Sequence, residues 1–127
     1  MKRGLLLFAH GARDPRWAEP FEEVARRARL HEPGWLVQLA FLEFMSPALI
    51  EAGRLLADAG CTQVDVQPLF LGTGGHVRKD LPLLLTELTA LHPGVQWRLQ
   101  RAIGEIDSVI DAMARAAVNP LSDPPPS

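Results

Sequence analysis

A chain of 127 residues, 47% of them hydrophobic and 22% charged, has the length for one domain with a single core and not for two. Its net charge of −2 excludes the strongly basic face of an electrostatic nucleic-acid binder, and its single cysteine, Cys61, excludes an internal disulfide or a multi-cysteine zinc site. The opening "MKRGLLLFAHG" is too short to span a membrane and carries no small-residue cleavage site, so the expected location is the cytoplasm, with no membrane or nucleic-acid partner.

Gly4 to Ala9 is a continuous apolar run, the pattern of a buried strand. After a loop, Trp17, Phe21, Val24, Ala25 and Ala28 recur at spacings of three and four, one face of a helix. Arg26, Arg27 and Arg29 fall on its solvated side. "WLVQLAFLE", Trp35 to Glu43, predicts a second strand. Ser46-Pro47 then predicts a helix start, Ser as cap and Pro at the first helical position, continued by Leu49, Ile50, Gly53, Leu56 and Ala57 and stopped by Gly60. Cys61 reads as a small core residue ahead of a third strand, Val64 to Leu71.

Asp80 is placed to cap a helix with the stripe Leu81, Leu84, Leu85, Leu88 and Leu91, which His92-Pro93-Gly94 ends. Val95, Trp97 and Leu99 alternate with polar residues, as in a strand at a sheet edge. Ile106, Val109, Ile110, Met113 and Ala117 predict the last helix. The proline-rich stretch from Asn119 reads as a loose tail, giving one domain over residues 1–118 and a tail over 119–127. Alternating strands and helices with short connections specify an α/β fold, a doubly wound four-stranded parallel sheet flanked by helices.

Ligands of such sheets bind outside the carboxyl ends of the strands, and His10, Glu43 and the loop bearing His76 all follow strand ends. Neutral imidazoles and a carboxylate together suit a divalent first-row metal ion. Glu43 follows "LAFL", so partial desolvation there would make it a proton acceptor. Each histidine alone also reads as an ordinary turn or loop residue, and Glu43 as a partner for Arg13. "GTGG" lacks both the phosphate-loop pattern and the dinucleotide fingerprint, so no nucleotide is expected. Gly72, Gly74 and Gly75 are expected instead to give the His76 loop freedom to move. Arg13, Arg78 and Lys79 flank the histidines and could neutralise substrate carboxylates, or pair with Asp14 and Asp80 in their own loops. His31 and His92 sit at helix ends, and Trp17, Trp35 and Trp97 read as packing.

Three ordered motifs, "HGARDP" from His10, "FLEFMSP" from Phe41 and "PLFLGTGGHVRKDLP" from Pro68, resemble the small CbiX/SirB-type sirohydrochlorin chelatases, over roughly residues 4 to 115. The resemblance implies a chelatase-like half, ATP-independent insertion of cobalt, ferrous iron or nickel into sirohydrochlorin, and a homodimer. It implies that His10 and His76 are the metal-binding histidines and Glu43 the acidic residue beside the metal. Ala12 stands where that family usually carries Ser, and no histidine-rich segment is present. On this reading Leu42, Met45, Phe70, Leu71, Gly74 and Gly75 meet the macrocycle, while Arg13, Arg78 and Lys79 meet its peripheral carboxylates. The metal is then a substrate rather than a resident cofactor. A non-catalytic metal or tetrapyrrole carrier is the alternative. A histidine phosphatase built on "AHGAR" is disfavoured, since that chemistry places Arg before the nucleophilic His and this chain has Ala9.

Overall fold

The computed structural model describes residues 2–72 and 74–119, with the side chain of His76 outside the description. The expected tail therefore lies outside the described residues except for Asn119. Four parallel strands, β1 (Lys2–Ala9), β2 (Leu36–Phe41), β3 (Cys61–Pro68) and β4 (Gln96–Leu99), form one sheet in the order β2-β1-β3-β4. The helices are α1 (Glu19–His31), α2 (Leu49–Asp58), α3 (Gly75–Leu91) and α4 (Asp107–Val118). This is the doubly wound α/β domain expected from the alternation of patterns.

The period-two alternation of β1 sends its side chains to both faces of the sheet. Leu6 and Phe8 join Leu49, Ala52 and Leu56 of α2 and Leu81, Leu85 and Leu88 of α3 in one core. Leu7 and Ala9 join Ala25 of α1 with Val37, Leu39 and Phe41 of β2 in the other. Both faces are covered, which is why β1 reads as an unbroken apolar run. Cys61 is buried in the first core, and burial pushes its thiol up from the ordinary value. On the other face Asp65 of β3 is the buried charge among the described residues, held by Arg3 of β1 at 2.7 Å and Arg98 of β4 at 3.0 Å. Arg3 also lies 4.2 Å over the ring of Trp35.

Several boundaries differ from those expected, and prolines explain most of them. Ser46 does not cap α2. The helix starts at Leu49 after an extended Ala48, because the Pro47 carbonyl is taken by the Phe41 N–H at 2.9 Å. Asp80 does not cap α3, which begins five residues earlier at Gly75 with Gly74 as cap and carries Pro82 in its interior. Val77 packs on the core, so burial favours the earlier start over the proline's preference for a first turn. β3 begins and ends three residues before the expected range, closing at Pro68, and β2 ends at Phe41. Helix α4 forms as expected, but none of its residues is buried, and Ile110 and Met113 of its apolar stripe are exposed.

Backbone pairing continues beyond the carboxyl ends of the strands. Leu42 donates to the Ala9 carbonyl at 2.9 Å and Glu43 to the His10 carbonyl at 3.0 Å. Gly11 turns the chain away at φ +95°, and a Cβ there would lie 1.9 Å from the Glu43 carbonyl oxygen. Only glycine satisfies both demands. A similar contact ties the next loops together: Gly104 donates to the Phe70 carbonyl at 3.0 Å, and a Cβ on it would lie 2.1 Å from the Leu71 oxygen.

Gly11→Ala should therefore destabilise the fold by at least about 1–2 kcal/mol in urea unfolding, the cost of a strained backbone plus a displaced loop. Gly34→Ala, where a Cβ meets nothing within 4 Å, should stay within about 0.5 kcal/mol of the parent.

Candidate functional site

The end of β1 and the end of β2 bring His10 and Glu43 side by side. His10 Nε2 and Glu43 Oε1 are 3.0 Å apart, with the two side chains 51% and 48% exposed. The imidazole is steadied from the other side by Phe70, whose ring stands edge-on at 6.4 Å between centroids and itself packs on Phe8 at 5.8 Å. Glu43 is thus held by a ring nitrogen at a wet rim, and the expected desolvation by its own strand does not occur. Nor does Glu43 pair with Arg13.

The pair opens onto a hollow of about 420 Å³ lined by His10, Leu42, Glu43, Phe70, Gly72, Gly74, Gly75 and Val77. Its size is that of a ligand pocket, and it is open to one side. A Cβ on Gly72, Gly74 or Gly75 would meet nothing within 4 Å, and Gly74 has an ordinary extended backbone at φ −70°. Their glycine character is therefore not demanded by the backbone. It leaves one wall of the hollow bare.

His76 falls in the first turn of α3, directly after two of these lining glycines. Its side chain lies outside the described residues, so the expected convergence of the two imidazoles is not among the observations. Among the described residues no third His, Cys, Asp or Glu joins His10 and Glu43. His31 and His92 end α1 and cap α3 at the opposite ends of those helices, and His92 packs 5.9 Å from Trp97.

The remaining expected contacts divide. Leu42, Phe70, Gly74 and Gly75 line the hollow. Met45 instead packs against the core on the α1 side. Leu71 is exposed and does not line the hollow, its backbone being pressed against Gly104. Lys79 is exposed on α3 and pairs with no acid among the described residues. Arg78 lines a separate, smaller hollow with Arg101. Arg13 lies 4.6 Å over the ring of Phe44 rather than against Asp14, whose carboxylate takes Arg16 at 2.8 Å. Arg16 holds the Asp14 carboxyl below the usual range.

Phe44 was not foreseen. It is a non-glycine residue at φ +66° and is 56% exposed, an aromatic ring held out at the rim by strained backbone. Its place inside the "FLEFMSP" motif, beside Glu43, is the signal the sequence offers for it. A larger hollow, about 470 Å³, lies on α1 beside Glu19, Glu22, Glu23, Arg26 and Arg29. There Glu23 is already paired with Arg26 and Arg27.

The donor set at the rim fits a divalent first-row ion. Two ligand atoms each ~2.1 Å from one cation and at right angles to each other are ~3.0 Å apart, the observed Nε2–Oε1 separation. Without metal, the same distance is a hydrogen bond in which Nε2–H donates to the carboxylate. To hold an ion, His10 would have to turn its Nε2 lone pair from Glu43 towards it and carry the ring proton on Nδ1.

Known proteins resemble the chain over nearly its whole length. The sequence profile of the CbiX family matches residues 4–119. The sirohydrochlorin cobaltochelatase of Sulfurisphaera tokodaii is 29% identical over 110 residues, 87% of each chain. A solved structure from Marinobacter aquaeolei, described as a putative cobalamin biosynthesis CbiX protein, is 32% identical with a TM-score of 0.82, covering 94% of this chain and 98% of that one. The sirohydrochlorin chelatase SirB of Bacillus subtilis subspecies spizizenii, solved in complex with cobalt, shares the fold at a TM-score of 0.81 and 22% identity. This chain spans 51% of it. With nearly its whole length matched, the chain belongs to the CbiX family.

Proposed function

We infer that this protein inserts a divalent metal ion into sirohydrochlorin, the ion being a substrate and no nucleotide being consumed. The observation that carries the reading is the His10–Glu43 pair, 3.0 Å apart at the mouth of a glycine-walled hollow, in a chain of the CbiX family. Cobalt and ferrous iron are the proposed metals and nickel a further one, since imidazole and carboxylate ligands serve all three.

Insertion requires three things of the protein. It must take a hydrated cation and strip part of its water, leave coordination positions open towards the macrocycle, and dispose of two N–H protons. His10 and Glu43 supply two adjacent ligand atoms, and their exposure leaves the remaining positions accessible. We assign the third ligand to His76, supported by its place in the first turn of α3 beside Gly74 and Gly75. As the ion passes to the pyrrole nitrogens, Glu43 Oε1 and His10 Nε2 are freed and can each accept a departing proton, and release of the two protons to water then returns the pair to its hydrogen-bonded form. The outer wall of Leu42, Phe70 and Val77 offers apolar contact to one edge of the ring system. The hollow opens to solvent, so the rest of the macrocycle extends beyond this domain. The exposed apolar side of α4 supports a homodimer in which a second copy covers it.

Purified protein mixed with sirohydrochlorin and Co²⁺, Fe²⁺ or Ni²⁺ should change the absorption spectrum catalytically, over many turnovers. A single stoichiometric change would instead indicate a carrier. His10→Ala should abolish insertion while leaving the thermal unfolding midpoint close to that of the parent, because the side chain is exposed. Retention of most turnover would refute the metal assignment. Glu43→Gln keeps the shape and removes the base, so kcat should fall roughly 100-fold with KM for sirohydrochlorin little changed. A change confined to the metal's KM would make Glu43 a ligand only.

A further inference from the structure

The arginines of this chain divide by partner. Arg3, Arg16, Arg26, Arg27, Arg54, Arg98 and Arg115 each pair with an acid, and Arg29 donates to the Val37 carbonyl. Arg13, Arg78 and Arg101 have no carboxylate oxygen within 4.0 Å among the described residues. All three follow strand ends: Arg13 after β1, Arg78 in the first turns of the helix after β3, Arg101 after β4. The uncommitted guanidinium groups are therefore gathered on the rim that carries His10 and Glu43.

Two of them share a site. Arg78 and Arg101 line a hollow of about 140 Å³ together with Gln100 and Glu105, against an apolar flank that includes Pro68 and Leu99. Two cations against one carboxylate leave the hollow with a net positive charge. Its backbone is fixed on two sides, by Gln67 Nε2 donating to the Arg101 carbonyl at 2.7 Å and by the close contact of Gly104 with Leu71. It adjoins the hollow at His10 and Glu43 along α3: Val77 lines that one, and the next residue, Arg78, lines this one. An apolar flank strengthens a charge-assisted hydrogen bond by keeping water from the pair. The volume admits a short carboxyalkyl arm and not a ring system.

We propose that Arg101, acting with Arg78, is a carboxylate-binding residue that holds one peripheral acid arm of the tetrapyrrole and thereby sets which edge of the macrocycle faces His10 and Glu43. This deepens the chelatase reading and rests on it. Guanidinium is suited to the task because its planar fork matches both carboxylate oxygens and stays charged at every working pH. Arg101 touches the arm and not the reacting nitrogens, so it acts on binding and orientation.

The test titrates metal-free sirohydrochlorin into the parent and into R101Q, R101K and R78Q, and follows cobalt insertion in the same proteins. R26Q on α1, remote from the rim, is the control. R101Q and R78Q should raise Kd and KM for sirohydrochlorin about tenfold, with kcat within a factor of about two, the loss of one charge-assisted hydrogen bond. R101K should recover part of the affinity, and Kd in R101Q should respond less steeply to salt than in the parent. With the acid arms masked as methyl esters, parent and R101Q should bind alike. Parent-like affinity of R101Q for the free acid, or a fall in kcat with Kd unchanged, would overturn the subsite while leaving the chelatase reading intact. A parent protein that neither binds nor metallates sirohydrochlorin would overturn both.

Discussion

The rim of this molecule depends on one backbone constraint, the parallel pairing of β1 with β2 carried past the ends of both strands. The Glu43 N–H reaches the His10 carbonyl, and Gly11 then leaves at a left-handed angle beneath the Glu43 oxygen. These contacts place two side chains, 33 positions apart in the chain, within hydrogen-bond distance. The "HG" dipeptide therefore has a division of labour: the histidine presents a ring nitrogen, and the glycine permits the neighbouring loop to approach closely enough to use it.

Charge is distributed with similar economy. Within the fold, acids and arginines are spent on one another, Asp65 bridging β1 and β4 through Arg3 and Arg98 and the outer helices carrying their own pairs. At the carboxyl ends of the strands Arg13, Arg78 and Arg101 have no acid partner among the described residues, and Arg13 rests on the exposed ring of Phe44. A cation on an aromatic face is held loosely enough to exchange its partner for an anion. The strain at Phe44, of order 1–3 kcal/mol for a residue in the left-handed region, persists because the loop is closed on both sides by the pairing of Phe41 with Pro47 and of Glu43 with His10.

Much of this was legible from residues alone. The unbroken apolar run of β1, the three-and-four spacing of α1 and the alternation of β4 each report burial on two faces, one face and an edge, so element type and order follow from periodicity. His10 and Glu43 were legible because both follow apolar strands directly. Where reading failed, the cause was a proline or a backbone approach. Pro47 and Pro82 suggest helix starts that the chain does not use, since a carbonyl already engaged and a buried Val77 outweigh their preference. Phe44, Arg101 and Gly104 acquire their places from contacts between loops distant in sequence, which no local pattern encodes. The apolar spacing of α4 predicts the helix and leaves its exposed stripe unexplained, because periodicity reports an apolar face and not what covers it.

The central claim is that His10 Nε2 and Glu43 Oε1 belong to one cation. A crystal of the protein grown with cobalt, with the ion located by its anomalous scattering, tests it most directly. The account predicts a single strong peak ~2.1 Å from both atoms, with the ring proton displaced to Nδ1. Cobalt bound elsewhere while the His10–Glu43 hydrogen bond stays closed would contradict it.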